Sequence, residues 1–136
     1  MTVKAIVASS TLAITDNLAL AVAGIMAEVD DDFAIRATNS GWIASDVEGL
    51  VIRLAGQLDK HVHVFKPTTG TGQKATYHRD NQMVAAVDGI YAFFPEDKVM
   101  EGGTSHVVEA ALRDGVPVTA YSVATDGSIM EVGSDG

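Results

Sequence analysis

Apolar and polar positions alternate in blocks along this chain, and their spacing predicts five strands separated by four helices. Residues 3–8, Val-Lys-Ala-Ile-Val-Ala, form a first strand-like run, closed by the small polar loop Ser9-Ser10-Thr11. Thr15-Asp16 then opens a helix to about Val29, with Leu18, Val22, Ile25 and Val29 as a core stripe and Ala19, Ala23 and Ala27 on another face. A helix apolar nearly all round is buried in its own monomer or against a second subunit, and the pattern leaves both open. Residues 33–39 give a second strand. Ser45 with Glu48 three residues on is a capping-box pattern, and it starts a helix whose inward stripe is Val47, Leu50, Val51, Leu54 and Leu58. Residues 61–65, His-Val-His-Val-Phe, alternate as a third strand.

Residues 66–77, KPTTGTGQKATY, carry glycines, threonines and a proline and predict a loop over a site. The segment lacks the spacing of a phosphate-binding P-loop. A short helix is expected over 78–87, with Met83, Val84 and Val87 inward. Residues 88–118 read as a buried strand at 90–94, a loop, the pair Gly102-Gly103, and a helix that Thr104 caps. Val107, Val108, Ala111 and Leu112 share one face of that helix, and Asp114-Gly115 ends it. A strand over 117–123, the turn Thr125-Asp126-Gly127 and a short edge strand at 128–132 complete the chain. Alternating strands and helices imply an α/β fold in three layers, a mainly parallel five-stranded sheet of order 3-2-1-4-5 with a C-terminal hairpin strand, all in one domain over 1–136.

In such a sheet ligands bind beyond the carboxyl ends of the strands, where the winding reverses, here between strands one and four. Three loops of small residues converge there: Ser9-Ser10, Ser40-Gly41, and the segment holding Gly102, Gly103 and Thr104. The helix after the glycine pair has unpartnered amides and the positive end of its dipole at that point, so a phosphate-bearing small molecule fits.

Composition narrows the partners. The net charge is −9 and 47% of the residues are hydrophobic. An acidic chain does not neutralise a nucleic-acid backbone, yet a local site can still take one nucleotide. No run approaches the ~18 apolar residues of a membrane span. No secretory signal is visible and there is no cysteine, so the expectation is a cytoplasmic protein without disulfides or thiolate chemistry.

Several side chains carry candidate chemistry. Arg79 offers a guanidinium fork to a phosphate or carboxylate, or is a surface cation. Asp46 can accept from a ribose hydroxyl or simply stabilise the start of its helix. Trp42 stacks on a base or packs, and Tyr77 is a second stacking candidate. His106, early in the fourth helix, donates to a ligand, acts as acid or base, or is solvated. Glu109 and Arg113 have the spacing of a helical ion pair. Glu96, Asp97 and Glu101 read as a solvated loop. His61 and His63 share a strand face, but no third metal ligand is evident.

Four pieces in order resemble the SLOG superfamily, Rossmann-like domains related to the LOG and Smf/DprA proteins, and within it the small YspA-like branch. Gly41-Trp42-Ile43-Ala44-Ser45-Asp46 is similar to that branch's glycine-led turn ending in Ala-Asp. Arg79-Asp80-Asn81-Gln82-Met83 is similar to its Arg-Asn-x-x-Met helix start, with Asp80 where Asn is usual. Asp88-Gly89-Ile90-Tyr91-Ala92-Phe93 resembles its Ala-Asp-x-x-x-Ala-Phe strand. Gly103-Thr104, with Ala111 and Gly115-Val116-Pro117-Val118, resembles its Gly-Thr helix and exit turn. Ser9-Ser10 departs from the usual Gly-Ser-Arg.

The resemblance implies a homo-oligomeric binder of a nucleotide or nucleotide-derived molecule, with no further cofactor. Relatives that cleave N-glycosidic bonds carry Gly-Thr-x-x-Glu, and Val107 stands where that glutamate is expected. An enzymatic alternative, a nucleotide N-glycosidase or phosphoribohydrolase, would have to use Glu101, Glu109 or Asp46.

Overall fold

The computed structural model describes residues 2–38, 43–67, 72–96 and 102–135. Their order is β1 (Val3–Ala8), α1 (Asp16–Glu28), β2 (Asp32–Arg36), α2 (Asp46–Leu58), β3 (Val62–Phe65), α3 (Gly72–Ala86), β4 (Gly89–Pro95), α4 (Gly102–Asp114), β5 (Val118–Val123) and β6 (Ile129–Asp135). The strands form one sheet in the order β3-β2-β1-β4-β5-β6. All neighbours run parallel except β5 and β6, which are antiparallel, with a register shift between Ala120 and Tyr121. The winding therefore reverses beside β1, between β2 on one side and β4 on the other, as the alternation of elements predicts.

Side-chain alternation along the strands divides the core in two. Ile6, Ala8, Phe33 and Ile35 join Leu18, Val22 and Met26 of α1 and Val47, Leu50 and Val51 of α2. Ala5, Val7, Ala34, Ile90 and Ala92 join Met83 and Val84 of α3 and Val107, Ala110 and Ala111 of α4. Each strand residue faces the helix layer opposite to that of its neighbour, because successive Cβ atoms point to opposite faces. No helix among the described residues is long and apolar enough to cross a membrane.

Local signals account for most element ends. Thr15 caps α1 by accepting from Leu18 N at 3.2 Å. Ser45 caps α2 by accepting from Glu48 N at 3.1 Å. Gly115, at φ +76°, ends α4, with Val116 N donating to Ala111 O at 2.8 Å. Gly127, at φ +92°, forms the β5–β6 turn, where Ser128 N donates to Asp126 Oδ1 at 2.9 Å.

Five expectations need correction. Gly72 to Tyr77 are helical, so α3 begins well before His78, while residues 68–71 of the expected loop lie outside those described. Its inward stripe is Ala75, Arg79 and Met83, all buried, and a buried arginine hides that periodicity. On α4, Leu112 is half exposed and Ala110 is buried in its place. On α2 the inward stripe follows Ala55, and Leu58 is exposed at the helix end. Arg113 pairs with Asp114 at 3.0 Å and reaches Asn81 Oδ1 at 3.3 Å, rather than pairing with Glu109. On α1, Leu18, Val22 and Met26 are buried in the core, whereas Ile25 and Val29 of the expected stripe are only partly buried against it and Leu20 is 71% exposed.

Candidate functional site

The strands are almost purely apolar inside, so each buried charge requires a partner. Arg36 ends β2 and Glu48 lies in the first turn of α2, and both are buried. The paired register of β1 and β2 extends from Val3↔Asp32 to Ala5↔Ala34. Beyond that point the Glu48 carboxylate occupies the gap between the strands. It accepts from Arg36 N at 2.7 Å and from Ala8 N at 3.4 Å. The Arg36 guanidinium donates to Glu48 at 2.6 and 3.1 Å and to Ala8 O at 3.0 Å. Ser45 Oγ adds a bond to Glu48 at 2.9 Å. Burial disfavours the charge on Arg36, but Glu48 outweighs that effect and Asp80 adds to it, so the Arg36 pKa is raised.

A second cluster sits on the opposite face. Arg79 is neither a surface cation nor an open fork: it is buried, and its Nε and Nη2 donate to Asp80 Oδ1 at 2.9 and 2.7 Å. Its Nη1 donates to Ala37 O at 3.0 Å, tying α3 to the end of β2. Asp80 Oδ2 meets His106 Nδ1 at 3.1 Å, across to α4. Tyr77 stacks on the His106 ring with centroids 3.9 Å apart and planes 18° from parallel. The Thr38 hydroxyl, one residue beyond Ala37, is buried without a hydrogen-bond partner among the described residues.

The sequence-predicted residues are distributed as follows. Ser9 follows β1 directly and donates its N–H to Phe93 O at 3.1 Å, joining the ends of β1 and β4 at the reversal point. Its hydroxyl lies 2.9 Å from that of Thr11, and Ser10 beside it is exposed. Gly41 and Trp42 lie outside the described residues, as do Asp97 and Glu101. Asp46 is exposed in the first turn of α2, apart from the buried clusters. Gly102 and Gly103 are already helical, which places Thr104 inside the first turn rather than at the cap. Thr104 is buried. His106 consequently lies one turn into α4, where it meets Asp80.

A cleft of ≈ 330 Å³ opens at the same edge, between Thr11, Leu12, Ala13 and Thr15 after β1, Pro95 at the end of β4, Val123 at the end of β5 and Ala124 and Thr125 after it. Among the described residues, no group of three or more His, Asp and Glu is placed to hold a metal. His63 lies 3.5 Å from Asp32 and edge-on to His61. Glu109 is exposed on α4.

Sequence reasoning missed Arg36, Glu48 as its partner, and Asp80 as the link to His106. One signal was present for Arg36: a charge closing the apolar run Phe33-Ala34-Ile35 needs a partner.

No family model and no curated protein matches the sequence. Among solved structures the chain is similar to "AtPrR2 in apo form", with 10% identity and a TM-score of 0.40 over 86% of this chain. The match spans 46% of that structure's chain.

Proposed function

We propose that this chain binds a nucleotide or nucleotide-derived small molecule at the carboxyl edge of its sheet, as a sensor, carrier or sequestering protein of SLOG type. One observation carries the reading. The buried polar residues among those described are Arg36, Ser45, Glu48, Arg79, Asp80 and Thr104. They belong to the end of β2, the starts of α2 and α4, and the part of α3 that reaches Ala37 and His106. Burying charge carries a desolvation cost that an apolar core avoids, and here the buried charge gathers at one edge. That edge is also where the winding reverses. The four ordered motifs that resemble the SLOG superfamily support the same ligand class, and Val107 in place of the hydrolases' glutamate favours binding over cleavage.

Calorimetric titration against nucleoside monophosphates, ADP-ribose and cyclic ADP-ribose isomers tests the reading, together with mass spectrometry of small molecules released on denaturation. At least one ligand should saturate the protein at one per site. Silence across the panel at high protein concentration, with nothing released, rejects it. Free base appearing from a bound nucleotide would instead support the glycosidase alternative.

The same reading makes the chain a homo-oligomer. Leu20 on α1 and Met130 and Val132 on β6, all more than half exposed, supply apolar surface for association. A purely monomeric sedimentation profile would remove that part.

A further inference from the structure

The hydrogen bonds around Asp80 determine what His106 can offer a ligand. Asp80 Oδ1 takes two N–H groups from Arg79, and Oδ2 faces His106 Nδ1 at 3.1 Å. A carboxylate only accepts, so in the neutral ring the shared proton resides on Nδ1. The lone pair is then on Nε2. Tyr77 stacked at 3.9 Å opposes rotation of the ring away from this arrangement. Nε2 has no partner among the described residues, and 17% of the His106 side chain is open to solvent. The Thr38 hydroxyl, buried just beyond the carbonyl that holds Arg79, is a second polar group at this edge without a partner among the described residues.

We infer that His106 Nε2 accepts a hydrogen bond from a hydroxyl of the bound molecule, and that Asp80 is the positioning residue that sets this polarity. The inference deepens the binding reading above and rests on it. A lone pair repels an anionic oxygen, so the group recognised at His106 is a neutral donor such as a ribose hydroxyl. A phosphate would belong elsewhere on the same edge. His106 thereby becomes a specificity determinant for hydroxylated sugars.

Two measurements on the full chain test this. Long-range ¹H–¹⁵N correlation, at a pH where the ring's own ¹⁵N shifts show it neutral, reads the tautomer without any ligand. The expected result is Nδ1 protonated and Nε2 bare, moving toward the opposite tautomer in Asp80→Asn. Calorimetry then compares AMP with its 2′,3′-dideoxy analogue. The native chain should prefer AMP by about tenfold, the size of one lost hydrogen bond to a polar site, and His106→Leu should erase that preference. Because Asp80→Asn leaves buried Arg79 without its carboxylate, His106→Leu, which removes a partly exposed ring, carries the test if the former does not fold. A ring protonated on Nε2, or a His106→Leu chain that still discriminates, overturns the inference while leaving binding intact. Failure of both nucleotides to bind overturns the ligand named here, whereas the binding reading itself falls only with silence across the whole panel above.

Discussion

Tyr91 and Tyr121 sit on adjacent strands, β4 and β5, and Tyr121 stacks on Phe93 with centroids 4.9 Å apart. Partial burial raises the pKa of both phenols. Asp31 and Glu28 add to the effect at Tyr91, and Glu131, Tyr91 and Glu28 add to it at Tyr121. The unfolded chain releases these protons near pH 10, before the folded chain does. Their contribution to stability is therefore complete below about pH 10 and is lost as pH rises through the folded values. Tyrosinate absorbance should rise at higher pH in the native protein than in urea, and Tyr91→Phe with Tyr121→Phe should flatten the alkaline fall in stability. Coincident native and denatured titrations would contradict this. Individual site residues were the hardest feature to read from sequence. His106 was legible as a candidate, but its partner Asp80 lies 26 positions away on another helix. Arg79 looked like a free fork because nothing local reveals that its neighbour Asp80 and the distant Ala37 carbonyl occupy it.

At the level of elements, the Arg36–Glu48 pair does more than balance charge, because Glu48 also receives the amides of Ala8 and Arg36 where the β1–β2 ladder stops. Glu48→Ala should destabilise the protein by about 3–5 kcal/mol, the usual result of stranding a buried partner. Replacing both residues by apolar ones is often neutral. Here Arg36→Met with Glu48→Leu should recover only part of the loss, since two buried amides lose their acceptor at about 1–3 kcal/mol each. Full recovery in urea denaturation would show that the amides find other partners. Gly115 gives a simpler test. Its φ of +76° disfavours any Cβ although none of the described residues stands within 4 Å of it, so Gly115→Ala should lose about 1 kcal/mol from backbone conformation alone. Elements were mostly legible because caps and turns are local chemistry: Thr15, Ser45, Gly115 and Asp126-Gly127 stand where the chain stops or turns. The start of α3 was not, because Gly72 and the threonines around it have weak helix propensity. Packing of Ala75 and Arg79 overrides that preference.

The whole molecule is one sheet between two apolar layers. Strand residues alternate between the layers, so Ile6 and Ala8 serve one and Ala5 and Val7 the other. The order of the six strands follows from the alternation of helices and strands together with right-handed crossovers, both visible in sequence. The pairing of charges across the split between β1 and β2 depends on three-dimensional proximity and is not. Because β1 belongs to both cores, neither layer can open without exposing the other face of the same strand. Val22 on α1 and Val107 on α4 are both fully buried, one in each layer. Val22→Ala and Val107→Ala should each lower stability, by roughly 1–3 kcal/mol. The double variant should lose the sum within about 0.5 kcal/mol, since the two sites belong to separate core clusters on opposite faces of the sheet. All three variants should unfold in a single transition that coincides by far-ultraviolet and tyrosine signals. Two separated transitions, one following each substitution, would mean that the layers fold independently and that the sheet does not couple them.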